Sequence, residues 1–327
     1  MEVQAKCLGE GALLPLVIES IPSFRPTLDD LKAWLLERHD WLEDALIRHG
    51  GLLFRGFPVR DVRDFASLLH TLSPELVRYV GGQSERSIVA GNIYTSTELP
   101  ASLQIPLHNE MSYLLEPPRL IYFFCQTPAA RGGQTPIADC RRVYQRLAEA
   151  HPDLCDKFES KGVMYLKNMH SENKAGATFG ISWQAHYETD DKQAVEDFLR
   201  SESAEFEWGP DESLSIRSVL PAVRSNPKTG ETVWFNQAHL WHPTNLEANI
   251  RRALTLYCGE EGLPTNARFG DGSPIGDEEL ECVRDALLRE AVIYSWQEGD
   301  LLMLDNFSAA HGRKSFDGER KILVAMA

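Results

Sequence analysis

Leu107-His108-Asn109-Glu110 places an imidazole and a carboxylate two positions apart inside IPLHNEMSY, a short segment that reads as a strand. On a strand, residues i and i+2 project from the same face, so His108 and Glu110 can meet one ion; a helix would separate them, unlike the i, i+4 histidines of helical zinc sites. A second, distant imidazole would complete a two-histidine, one-carboxylate set, which leaves three cis positions of an octahedral iron(II) open. Two of these can take the keto oxygen and adjacent carboxylate of 2-oxoglutarate, and the third O2. His239, His242 and His311 are candidates for the distant ligand; His311 follows the apolar segment GDLLMLDN and precedes Gly312-Arg313 and a further strand, KILVAMA. An HxE tripeptide is weak on its own in a chain with 10 His, so its surroundings must decide.

Those surroundings are mostly short strands. RLIYFFCQTPA, TPIAD, GVMYLKN, LPAVRSN, ETVWFNQAHLW and GDLLMLDNFSAAH are apolar or alternating and bounded by Gly, Pro or Asn, which predicts an all-β core. Apolar residues recur every three or four positions from Leu28 to the Gly50 stop, predicting one amphipathic helix there; GLLFRGFPV then reads as a strand and VRDFASLLHTL as a helix. Further helical patterns interrupt the strands around 139–160, 190–202 and 277–290, as insertions about the sheets. Residues 80–104, rich in Gly, Ser, Thr and Asn, read as a loop that could carry binding groups. With no internal repeat and no low-complexity linker, 1–327 is read as a single domain.

A chain of 327 residues with 43% hydrophobic residues can bury a large core. Its formal net charge of -15 argues against nucleic acid or an anionic membrane surface as partner, since phosphate binding needs clustered Lys and Arg. No stretch approaches the ~20 apolar residues of a membrane helix, and the N-terminus lacks the pattern of a secretory signal. The 6 Cys are scattered singly, as reduced thiols of a cytoplasmic protein would be.

The landmarks LHNE (107–110), CQTPAARGGQTPIAD (125–139), SWQ (182–184), VWFNQAHLWH (233–242) and WQEGDLLMLDNFSAAHGRKSFDGERKILVAM (296–326) resemble the taurine dioxygenase superfamily, specifically its clavaminate-synthase-like members that include syringomycin-biosynthesis amino-acid hydroxylases. The resemblance implies a double-stranded β-helix, or jelly roll, mainly β with α insertions. It implies His108, Glu110 and His311 as ligands of iron(II), Thr135 of the Gly132-Gly133-Gln134-Thr135 turn on 2-oxoglutarate, and an Arg some ten residues past the distal His on its far carboxylate. Arg320 best fits that last role, with Arg313 and Lys321 as alternatives. Val324 and Ala325 stand where a sulfonate-gripping Arg would be, so a sulfonate substrate is disfavoured; Glu110 stands where halogenating members carry a small residue, so hydroxylation or desaturation is favoured.

For the substrate, Arg86 and Ser84 of the loop, Asn109 and Trp183 are candidates, an Arg being suited to a carboxylate. The resemblance implies an amino-acid-like small molecule in natural-product biosynthesis, either free or tethered to a peptidyl carrier protein, and leaves a homo-oligomer open. A non-oxygenase metal-binding protein on the same barrel, or a zinc hydrolase, would need neither Thr135 nor Arg320.

Overall fold

A computed structural model describes residues 2–8, 13–21, 25–82, 86–172 and 180–327; Ser84 lies outside them. Two facing sheets build the centre. The larger runs, by neighbouring strands, Val3–Cys7, Leu16–Ser20, Gly51–Arg55, Leu301–Asp305, Leu120–Thr127, Lys321–Met326, Ile93–Thr95 and Ile88–Ala90. The smaller runs Ala291–Tyr294, Thr135–Asp139, Ala309–Arg313 and Ile105–His108, all antiparallel.

Leu301–Asp305 shows why the sequence reads as continuous apolar runs. Leu302 and Leu304 point into the core between the sheets, while Leu301 and Met303 point to the opposite face and pack with Leu31, Trp34 and Phe65 of the N-terminal helices. Both faces are buried, so alternation disappears. At Asp305 the chain leaves the larger sheet: its Oδ1 accepts from the Phe307 and Ser308 N–H groups, and the turn delivers Ala309–Arg313 to the smaller one. Lys321–Met326 then returns to the larger sheet beside Leu120–Thr127. This alternation between two facing sheets, antiparallel apart from the parallel pairing of Leu16–Ser20 with Gly51–Arg55, is the jelly-roll architecture.

The helical insertions appear as Cys140–Ala150 with Pro152–Lys161, Lys192–Ser201 and Asp277–Arg289. A third sheet, Glu205–Trp208, Leu214–Leu220, Val163–Met169 and Thr265–Phe269, extends the barrel. Three expectations are corrected. The helix over 28–50 is two, Leu28–Glu37 and His39–His49, broken at Arg38, whose N–H caps the first. ETVWFNQAHLW is strand only over Thr232–Trp234; Ala238–Trp241 is a helical turn, because Asn236 takes the Ala222 carbonyl and the Ala238 N–H and ends the ladder. The loop at 80–104 carries two short strands, and Ala248–Cys258 is a helix that the strand-centred reading missed.

Candidate active site

His311 lies directly opposite His108 where their two strands pair, and the imidazole centroids are 4.5 Å apart. Gly312 permits this approach: a Cβ there would stand 2.6 Å from the Ile105 carbonyl oxygen. His311, at chain position 311, thus meets a residue two hundred positions earlier only through sheet register. Glu110 completes the group, with one candidate ligand atom from each residue and all three within 4.8 Å of one another.

Glu110 reaches this point differently from the sequence expectation. The strand Ile105–His108 ends at His108, and Glu110 stands in the turn beyond it, before Met111 at φ 51. What places it is a buried amide. Asn306 bonds the Glu110 N–H and carbonyl and also the Pro118 carbonyl, while Gln237 donates to the Asn109 carbonyl at 2.6 Å. Neither Asn306 nor Gln237 was singled out in the sequence; an Asn inside the apolar LLMLDNF run was the available signal.

The donor set suits a divalent metal. The Pro106 carbonyl can only accept, so its 2.9 Å contact with His108 Nδ1 fixes the proton there and leaves Nε2 as a lone-pair donor. Burial, then the neighbouring His311, pulls the His108 pKa down to about 3, keeping the ring neutral as ligation requires. Burial alone would raise the Glu110 carboxyl, but Arg86, followed by His311 and His108, outweighs it and holds the group ionised, below the usual range. His239 is not among the clustered ligand atoms; its Nε2 donates to the Leu107 carbonyl at 2.8 Å and so steadies the His108 strand. His242 bonds Thr244 at the rim.

A cavity of about 460 Å³ opens from the triad. Thr135 and Arg320 both line it. Trp296 Nε1 donates to Thr135 Oγ1 at 3.0 Å, which leaves the threonine's own O–H free to donate into the cavity. Arg320 Nε donates to the Gly133 carbonyl, with Gly133 in a positive-φ turn (φ 67) where a Cβ would crowd the Arg320 side chain at 3.0 Å. No carboxylate among the described residues pairs with Arg320. Burial, then Arg313, lowers its pKa to about 10, and it remains cationic at neutral pH. Arg313 cannot take its place, because its Nη atoms are held by the carbonyls of Leu99, Pro100 and Leu103.

Of the described substrate candidates, Arg86 alone lines the cavity. Asn109 points the other way, donating to the Asn306 carbonyl and Cys140 Sγ. Trp183 belongs to a separate cluster with Leu199, Leu214 and Trp208, its Nε1–H on the Glu212 carbonyl. Aromatic and aliphatic walls supplied by Tyr113, Phe123, Leu240 and Trp241 surround the triad instead.

A jelly roll carrying two imidazoles, a carboxylate and a spare buried guanidinium in one cavity defines the class of 2-oxoglutarate-dependent non-heme iron dioxygenases. The chain belongs to the family described as taurine catabolism dioxygenase TauD, TfdA family, whose model matches residues 19–326. It is 36% identical to the dapdiamide synthesis protein DdaC of Enterobacter agglomerans over 288 residues, 88% of this chain and 85% of DdaC. It is 29% identical to a clavaminate synthase-like protein of Arabidopsis thaliana over 322 residues, 97% of this chain and 91% of the relative. The fold is shared with PvcB of Pseudomonas aeruginosa at a TM-score of 0.54 and 16% identity, covering 99% of this chain and 90% of PvcB. Members of this family use iron(II), 2-oxoglutarate and O2, and the enzyme is an oxidoreductase of that kind. Among the described residues, no helix is long and apolar enough to cross a membrane.

Proposed function

We propose that the protein, acting as one oxygenase domain in the cytoplasm, hydroxylates or desaturates an unactivated C–H bond of an amino-acid-like small molecule in natural-product biosynthesis. The convergence of His108, Glu110 and His311 within 4.8 Å carries this reading. The likeness to a protein named for dapdiamide synthesis supports the biosynthetic setting. Iron(II), together with 2-oxoglutarate and O2, supplies the oxidising power when bound.

The chain's own residues bind and orient. His108 Nε2, His311 and Glu110 would hold the metal at the wall of the cavity. Arg320 takes the far carboxylate of 2-oxoglutarate, a charge-assisted contact, and the Thr135 hydroxyl donates a second bond. Tyr113, Phe123, Leu240 and Trp241 line the cavity with apolar surface that excludes water from the substrate. The substrate is presented either free or on a peptidyl carrier protein.

The test has two stages. Anaerobic addition of iron(II) and 2-oxoglutarate should produce the weak visible charge-transfer band of chelated co-substrate, and its failure to appear would remove the oxygenase reading. Succinate release is then measured across amino acids, offered free and loaded on a carrier domain.

A further inference from the structure

Arg86 is buried beside the triad, its side chain 5% exposed, and only part of its hydrogen-bonding capacity is used. Nη2 donates to Glu110 Oε2 at 2.8 Å and the guanidinium carbon lies 4.1 Å from the centre of the Tyr79 ring. Nε and Nη1 are buried and have no acceptor among the described residues. Buried donors of a charged group are expensive to leave unmet, by about 1–3 kcal/mol each, so such a pair marks the place of a missing acceptor. Glu110 cannot be that acceptor in full, because its charge also serves the metal.

The rest of the cavity narrows the ligand. Arg320 is a second guanidinium without a carboxylate partner, so the site is built for two anions, of which 2-oxoglutarate accounts for one. Among the described residues lining the cavity, the carboxylates are Glu110 and Glu247, and Glu247 is an exposed residue. The interior therefore has cations to spare and no free acid to receive an ammonium group. On a chain of net charge -15, this is a local reversal of sign that concentrates anions.

We propose that Arg86 anchors the substrate's carboxylate beside the metal, and that the substrate so selected carries no charged amine at its reacting end: an N-acylated amino acid or another carboxylic acid with an uncharged body. This rests on the oxygenase reading above and specifies its substrate. The carboxylate bonds one of the two open donors, Nε or Nη1, while Nη2 stays on Glu110, which ties substrate position to the triad. The uncharged body lies against Trp241 and Leu240.

The experiment uses the anaerobic iron(II)–2-oxoglutarate complex of the full chain and reads the shift of its visible band as compounds bind. The probes are matched sets built on glycine, leucine, phenylalanine and glutamine: the N-acetyl acid, the N-acetyl amide and the free amino acid. In at least one set the N-acetyl acid should bind about 10–100-fold more tightly than its amide, the worth of a charge-assisted pair, and more tightly than the free amino acid. Arg86→Gln should bring the acid-to-amide ratio close to one and Arg86→Lys should restore part of it; because the ratio is read within each protein, general weakening of the site cancels. The proposal is overturned if no acid in the panel outbinds its amide, if the ratio survives Arg86→Gln, or if free amino acids outbind their N-acetyl forms. Absence of the band before any probe is added would count against the oxygenase reading instead.

Discussion

Asn306 holds both backbone groups of Glu110: its Oδ1 accepts from the Glu110 N–H at 2.8 Å, and its Nδ2 donates to the Glu110 carbonyl at 2.9 Å. Asn306 is fully buried at the turn between the two strands that join the sheets, so the position of one proposed metal ligand depends on a residue outside the triad. Asn306→Ala should weaken metal binding by about 10–100-fold, as outer partners of metal ligands typically do, and should also lower stability. Titration of the folded variant with manganese(II) checks this; affinity within twofold of the parent would show that Glu110 is placed by other contacts.

His108→Ala or His311→Ala should abolish the 2-oxoglutarate charge-transfer band while leaving the chain folded. Removal of metal by a chelator should abolish succinate formation, and iron(II) should restore it. Zinc(II), which has no redox chemistry to offer, should not restore it.

Arg320→Ala should raise the 2-oxoglutarate concentration needed for half-maximal band formation by about 10–100-fold, the loss of one charge-assisted contact, and Arg320→Lys should recover part of it. Thr135→Val should cost less, roughly fivefold, since a neutral hydroxyl contributes about 1 kcal/mol. Equal affinities in Arg320→Ala and the parent would move the carboxylate site elsewhere.

Lys167 gives a pH-dependent prediction away from the metal. It sits in the inward-facing row of Val163–Met169 with Nζ 3.2 Å from the His186 ring nitrogens, and burial lowers its pKa from 10.5 to about 7. Between those values the unfolded chain holds a proton that the folded protein has released, so stability rises with pH across that window. Below it the folded protein carries the full cost of a buried charge. Lys167→Met should therefore be more stable than the parent at about pH 6, by roughly 2–4 kcal/mol, and the difference should shrink toward about pH 10. Urea unfolding midpoints across that range test it; a difference independent of pH would contradict the shift.

How much was legible in advance follows from what each feature depends on. The strand Leu301–Asp305, the helices near 140–160 and 277–289 and the HxE pair are local patterns, visible wherever side-chain period or composition is strong. Arg38 interrupting a long amphipathic run, and Asn236 turning a strand into a helical turn, depend on hydrogen bonds to particular neighbours and were misread. Asn109 lies between two residues of the triad in the chain, yet its amide is turned to the Asn306 carbonyl and Cys140 by contacts from distant segments.

The sequence by itself determined the chemistry available: a carboxylate two residues from an imidazole, a later His-Gly-Arg, a Gly-Gly-x-Thr turn and an Arg near the end, within strand-forming segments. Only the tertiary structure decided which histidine joins His108, because register across the smaller sheet sets His311 opposite it and spends His239 on the Leu107 carbonyl. It also sets the arginines apart. Arg313 is consumed by three carbonyls, while Arg320 and Arg86 keep their charge for the cavity, since partners for a buried guanidinium come from segments up to two hundred residues away.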